Sequence, residues 1–378
     1  MGKILLESYV VKDKRVCCQG DRLSVLYVEE GISQPGRHLL PLLAKDVSFH
    51  LVASVKNVDF AQQHGMPLLA FMLPRFPVQR AYASRRLALR MLKDHRIELI
   101  HGHSGTDFLL PQCVPTVTHV HGSCTTDWWR SWRLANPVRR LRHLVGYVHY
   151  VVPEKISIRK ATHVIAVSET IRQEIINQYG FSPQDVTVVP NGVSETFFSA
   201  DILKTPEDRA RLLFVGRLHR SKSIVEFKQC FVKVSNLNVQ FVVVGGGPEE
   251  STMARLATKD HRLVLTGTVP HEDVLKIAKT NIFVFPSYYE GFGLAVLEAM
   301  AAGHAVVARD IPAVREVVGD ARILCRDVAQ MIEAIRKLVA DPEARFDLQL
   351  RARSRARLFS WERSARILLD IYRRVVNA

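Results

Sequence analysis

Residues 285–310 read FPSYYEGFGLAVLEAMAAGHAVVARD, and the fold is decided by this stretch. The apolar run Asn281 to Phe285 leads into it and predicts a buried parallel strand, since a strand covered on both faces shows no polar alternation. Leu294 to Ala302 predicts a helix. Gly291, Phe292 and Gly293 then form the strand-to-helix turn, with free backbone N–H groups and the positive end of a helix dipole aimed outward. Glu290 stands at the mouth of that turn, and Glu298 about one turn or more inside the helix. An anionic group on the amides, with a carboxylate gripping hydroxyls on either side, is the chemistry this spacing suits.

Strand and helix patterns alternate outward from this block in both directions. Strands are expected at Leu23 to Val28, Phe49 to Ser54, Glu98 to His101, Thr116 to His119, Val164 to Ser168 and Val186 to Val189. A second series follows at Leu212 to Val215, Val239 to Val244, Leu263 to Thr266, Ile282 to Phe285 and Ala305 to Ala308. Helical patterns lie between them, for example Ser168 to Gln178 and Met331 to Leu338, and an amphipathic helix from Trp361 to Val376 closes the chain. Alternating β and α units with apolar strands imply an α/β protein with parallel sheets covered on both faces. The 378 residues exceed one ordinary core and suit two doubly wound domains. Asn191-Gly192 and the polar stretch to Arg209 read as their connection, giving domains 1–190 and 191–359. Ligands of such sheets bind at the carboxyl ends of strands, so a cleft between the domains is the expected site.

A hydrophobic content of 47% and a charged content of 24% are those of a soluble globular chain. No apolar run approaches the roughly 18 to 20 residues of a membrane span, and MGKILLESYV lacks the pattern of a secretory signal; a cytoplasmic location is expected. Six cysteines without CxxC spacing read as buried thiols of a reducing compartment. The net charge is +15, with +9 before Pro190 and +6 after it, so the excess is no tail. It predicts an anionic partner: nucleic acid, a phospholipid surface or a phosphorylated acceptor.

Gly216, Arg217 and Lys222 follow the first strand of the second half, in GRLHRSK. Two cations at a strand's carboxyl end suit a departing diphosphate; a solvated basic loop explains them equally well. Gly245-Gly246-Gly247 reads as a turn, since Glu250 occupies the place of the third glycine in a dinucleotide fingerprint. His121 ends a strand of the first half, a position more often structural than catalytic. His101 and His103 end its neighbour; without an acidic partner nearby they argue weakly for zinc, and no metal is expected. Segments 75–93 and 130–160 are the most basic. The second sets Arg130, Arg133, Arg139, Arg140, Arg142, Lys155, Arg159 and Lys160 against Glu154 alone, interleaved with Trp132, Tyr147 and Tyr150. Either is a solvated arginine face or a surface for anionic lipid. Both falling in the first half favours the membrane. None of the usual nucleic-acid-binding signatures is present.

Together these pieces resemble the retaining glycosyltransferases of family 4, which have the GT-B fold. The resemblance rests on the E-x7-E block with AMAAGHAVVARD, on GRLHRSK, and on VIAVSE (164–169), VVPNGV (188–193), VVVGGGPEE (242–250), LTGTVPHEDV (265–274) and FSWERSARILLDIY (359–372) in order. It implies two Rossmann-like domains facing a central cleft. The first would bind the acceptor, the second the nucleotide-sugar, and residues 360–378 would cross back to the first. It also implies metal-independent transfer, with retention, to a glycan or lipid-linked acceptor. The setting would be bacterial cell-surface polysaccharide or lipopolysaccharide synthesis, peripheral on the inner face of the cytoplasmic membrane.

By the same resemblance, Arg217 and Lys222 would hold the diphosphate as leaving group, with Gly216 making the turn. Glu290 would meet the transferred sugar, and the amides of Gly291, Phe292, Gly293 and Leu294 would meet phosphate and sugar oxygens. Glu298 would take the ribose diol, Val269 would flank the base, and His121 would lie close to the sugar. Gly31 or Gly36 would serve the phosphates. Three departures stand out: the loop from Gly31 to Gly36 has no glycine doublet, Ser223 follows Lys222 where the family usually has glycine, and residues 1–22 have no counterpart. Other readings are a phosphorylase, for which no pyridoxal-phosphate lysine motif announces itself, a nucleotide-sugar epimerase, and a basic nucleic-acid binder.

Overall fold

A computed structural model of the chain describes residues 10–11, 22–30, 32–72, 77–105, 107–133, 144, 146–199, 210–219, 222–234, 236–270, 274, 281–321 and 323–378. They form two units, Met1–Gly192 with Trp361–Ala378, and Val193–Ser360.

Unit 1 is built on an eight-stranded sheet: β1 (Val10–Val11), β2 (Leu23–Val28), β3 (Val47–Ser54), β4 (Leu68–Phe71), β5 (Leu99–His103), β6 (Thr116–Val120), β7 (His163–Ala166) and β8 (Val186–Val188). Their order is β1-β4-β3-β2-β5-β6-β7-β8. All neighbours pair in parallel except β1 with β4. Strands β4 to β7 are buried along their whole length, because helices cover both faces, and this is why their sequences read as unbroken apolar runs. The chain winds outward from β2 through β3 to β4, then returns to place β5 on the other side of β2. The carboxyl ends of β2 and β5 therefore flank a topological switch point.

The helix Trp361–Val376 belongs to this unit. Its buried residues Trp361, Ala365, Leu368, Tyr372 and Val375 recur at helical spacing. Trp361 stacks on His38 with centroids 4.9 Å apart, Ser364 Oγ donates to the Pro190 carbonyl, and Tyr372 is fully buried.

Unit 2 repeats the plan with β9 (Ala210–Val215), β10 (Val239–Val244), β11 (Leu263–Gly267), β12 (Ile282–Phe285), β13 (Ala305–Arg309) and β14 (Ile323–Cys325), in the order β11-β10-β9-β12-β13-β14. Every pair is parallel. Its switch point lies between β9 and β12. Phe214, Phe227, Phe231 and Phe241 meet in its core at centroid distances of 4.9 to 5.6 Å, with each ring edge tilted toward a neighbour's face.

Strands β1, β4 and β14 were not among the sequence expectations. They hold two, four and three residues, and β1 and β14 are the edge strands of their sheets.

Candidate functional site

The loops that follow β9 and β12 carry the unit 2 site. Lys222 Nζ lies 2.6 Å from Glu290 Oε1, and Ser287 Oγ lies 2.8 Å from the same oxygen. Ser287 is buried and also reaches the Tyr289 carbonyl at 3.2 Å. The carboxylate is thus held by two donors from two different loops. Arg309, at the end of β13, fastens the loop beneath: its Nε donates to the Pro286 carbonyl at 2.9 Å, and its guanidinium lies 3.9 Å over the Tyr288 ring. Ser287 and Arg309 both sit inside the stretch that decided the fold. Sequence reasoning gave neither a role, because a serine before a loop carboxylate carries no spacing signal.

Glycines shape the turns. Gly293 caps the helix Leu294–Ala301 at φ +95°, a conformation that favours glycine. Phe292 packs its ring edge-on to Phe359 at 5.9 Å, so only its backbone is available to a ligand. Gly245 has φ +132°, and a Cβ there would stand 2.0 Å from the Gly216 carbonyl oxygen. The triple glycine is therefore more than a turn: it lets the loop after β10 lie against the backbone at Gly216. Arg217 is exposed, and Glu298 and Val269 are half-buried.

Ser223 is buried at φ +58°, the one non-glycine with positive φ among the described residues. A side chain in that left-handed conformation costs about 1 to 2 kcal/mol, which gives a physical reason for glycine being usual there.

The unit 1 switch point gathers a second group. Tyr27 and His101 are register partners across β2 and β5, as are His103 and His119 across β5 and β6. Two-residue periodicity then puts Tyr27, Glu29, His101, His103, His119 and His121 on one face. His103 Nδ1 lies 2.8 Å from His121 Nε2, and His103 Nε2 lies 2.7 Å from Tyr27 Oη. Tyr27 Oη lies 3.0 Å from Glu29 Oε2. His119 stacks on His121 at 4.4 Å, and His101 Nδ1 meets the Tyr372 hydroxyl.

Burial pushes His103 and His121 down to about 3 and holds His101 and His119 well below the usual imidazole range. It also raises the Glu29 carboxyl. The expectation that the histidines lack an acidic partner is corrected here: Glu29 Oε2 stands 3.7 Å from His103 Nε2. Among the described residues Glu29, His103 and His121 bring donor atoms within 4.8 Å of one another, a group that could take a metal ion. Gly31 lies outside the described residues. Gly36 sits in the helix Gln34–Leu43, where a Cβ would approach Tyr27 Oη at 2.9 Å and Glu29 Oε2 at 3.2 Å. Its bareness makes room for that group.

The basic segments are adjacent in unit 1, since the turn Tyr147–Val151 packs against the helix Pro77–Asp94. Tyr82, Arg85, Arg86, Leu89, Arg90 and Lys93 form one exposed face of that helix. Trp129, Leu144, Val148 and Tyr150 are more than half exposed. Glu154 is fully buried. Its carboxylate accepts from the Cys124 amide at 2.8 Å and the Tyr179 hydroxyl at 2.7 Å, holding the first turn of the helix Cys124–Arg133. The single acid of segment 130–160 is thus withdrawn from the surface, where Arg159 and Lys160 are exposed. Arg75, Arg139, Arg140 and Arg142, and the side chains of Arg130 and Arg133, lie outside the described residues.

A family model described as glycosyl transferases group 1 matches residues 196–355, and one described as Glycosyltransferase Family 4 matches residues 38–197. The alpha-maltose-1-phosphate synthase of Mycobacterium tuberculosis (strain CDC 1551 / Oshkosh) is 32% identical over 262 residues, 61% of this chain and 67% of its own. Sucrose-phosphate synthase from Thermosynechococcus elongatus superposes with a TM-score of 0.73 at 18% identity, over 93% of this chain and 99% of its own. HepE of Anabaena, in complex with UDP and glucose, does so with a TM-score of 0.69 at 17% identity, over 93% and 99%. The two structures speak for the fold, and it is the expected GT-B fold.

Proposed function

The chain belongs to the group 1 glycosyltransferases of family 4, which act on nucleotide-sugars, and from that premise we propose that it transfers a sugar with retention, without a metal, to a glycan or lipid-linked acceptor. The observation that carries this is the Lys222–Glu290 pair at the unit 2 switch point, held by Ser287, with the exposed Arg217 on the same loop as Lys222. Arg217 and Lys222 neutralise the diphosphate as the bond from the anomeric carbon to phosphate breaks. Glu290 accepts hydrogen bonds from the sugar's hydroxyls, the amides from Gly291 to Leu294 meet its oxygens and the phosphate, and Glu298 takes the ribose diol. Val269 flanks the base, and His121 contacts the transferred sugar. The acceptor hydroxyl attacks from the face the phosphate leaves, and its proton passes to the departing phosphate oxygen. Bond made and bond broken share one face, so configuration is kept.

The test begins with a thermal-shift screen of UDP-, GDP-, ADP- and dTDP-sugars, in which the true donor raises the melting temperature by mass action. Chelator-treated enzyme given that donor is expected to form a product whose anomeric proton shows the donor's configuration by NMR. An inverted product would overturn retention, and activity lost to chelation and restored by a divalent ion would overturn metal independence.

We place the enzyme on the cytoplasmic face of a bacterial membrane, working on cell-surface polysaccharide or lipopolysaccharide. Support comes from the exposed basic and aromatic residues that the two adjacent segments of unit 1 present. No helix among the described residues is long and apolar enough to cross a membrane. Sedimentation with vesicles containing anionic lipid is expected, and Arg85→Glu with Arg86→Glu and Arg90→Glu should weaken it at least about tenfold, each basic residue contributing roughly 1 kcal/mol. Equal binding to neutral and anionic vesicles would sink this reading.

A further inference from the structure

The buried groups at the carboxyl ends of β2, β5 and β6 are joined in one line of hydrogen bonds, from Glu29 through Tyr27 and His103 to His121. Glu29 Oε2 takes the Ser33 amide at 3.2 Å and the Tyr27 hydroxyl at 3.0 Å. A carboxylate offers only lone pairs, so Tyr27 commits its single proton to it. Tyr27 Oη must then accept from His103 Nε2 at 2.7 Å. A neutral imidazole carries one N–H, so His103 Nδ1 is bare and accepts from His121 Nε2 at 2.8 Å. His121 is left with its lone pair on Nδ1, which makes no hydrogen bond among the described residues.

We propose that Glu29, Tyr27 and His103 are positioning residues that fix His121 as its Nε2–H tautomer, so that Nδ1 stands as an acceptor for a hydroxyl of the transferred sugar. Burial keeps both histidines neutral, which maintains one proton per ring. Gly36 closes over the relay: its missing Cβ leaves the space in which Tyr27 Oη and Glu29 Oε2 meet. The mirror arrangement, with every proton reversed, needs a protonated Glu29, and the Ser33 amide and Tyr27 hydroxyl that donate to its carboxyl both favour the ionised form. The role of Nδ1 rests on the reading of His121 as a sugar contact; the tautomer does not.

Nitrogen-15 NMR of histidine-labelled protein tests this, with the His121 signals identified by their loss in His121→Asn. In the wild type at neutral pH, Nε2 is expected to carry the proton and Nδ1 to be bare. Glu29→Met removes the acceptor, so Tyr27 turns its proton to His103 and His121 becomes the Nδ1–H tautomer. Turnover should then fall about tenfold, the size of one misdirected hydrogen bond. A wild-type His121 protonated on Nδ1 or on both nitrogens would overturn the relay, and this readout stands even if Glu29→Met does not fold. An unchanged His121 tautomer in folded Glu29→Met would overturn it too. Full transfer by His121→Asn alongside a correct wild-type tautomer would uphold the relay and remove the sugar contact.

Discussion

Glu290→Ala is expected to lower turnover about 10² to 10³-fold, the usual size of losing one preorganised charged or polar group from a transfer site. The carboxylate is only 14% exposed and is oriented by Lys222 and Ser287 before any ligand arrives. No reorganisation is then needed as charge develops on the sugar. Folding should suffer little. Lys222 is 38% exposed and rehydrates when its partner goes, and a pair of that exposure contributes about 1 kcal/mol or less. Steady-state turnover with the true donor and acceptor, alongside thermal melting, separates the two effects. Wild-type turnover from Glu290→Ala would remove Glu290 from the site.

Gly245→Ala should cost the most stability of any single methyl added to unit 2, about 3 kcal/mol or more from backbone strain and overlap together. The new Cβ would stand 2.0 Å from the Gly216 carbonyl oxygen, a backbone atom that cannot swing aside as a side chain can. Relief requires the loop after β9 to move, and Arg217 with it, so donor affinity should fall along with the melting temperature. Gly180→Ala is the control. Its φ is +71°, yet nothing lies within 4 Å of the added Cβ, so it carries strain without overlap. Equal melting temperatures for the two variants would show that the loops are not pressed together as described.

Most of the architecture was legible in the chain. Eleven of the strands announce themselves as apolar runs because both faces of each sheet are covered, and the E-x7-E turn could be drawn from glycines and helix spacing alone. The site was legible in pieces. Arg217, Lys222, Glu290 and Glu298 stand out by charge at strand ends, whereas Ser287, Arg309, Tyr27 and Glu29 do not. Their importance comes from partners far away in sequence. The triple glycine read as a turn for the same reason, since nothing local reveals that the Gly216 backbone lies against it.

By itself, then, the sequence determined where strands end and loops begin, because hydrophobic period and glycine conformation act over a few residues. Only the tertiary structure decided which strand ends become neighbours. The order β9 beside β12 sets Lys222 against Glu290 across 68 positions. The order β2, β5, β6 sets Glu29 and Tyr27 against histidines more than seventy positions on. Strand order is fixed by the packing of whole helices against whole sheets, a sum over many weak contacts that no short motif contains. The stretch from Phe285 to Asp310 could therefore name its own turn, but not the lysine that turn was built to meet.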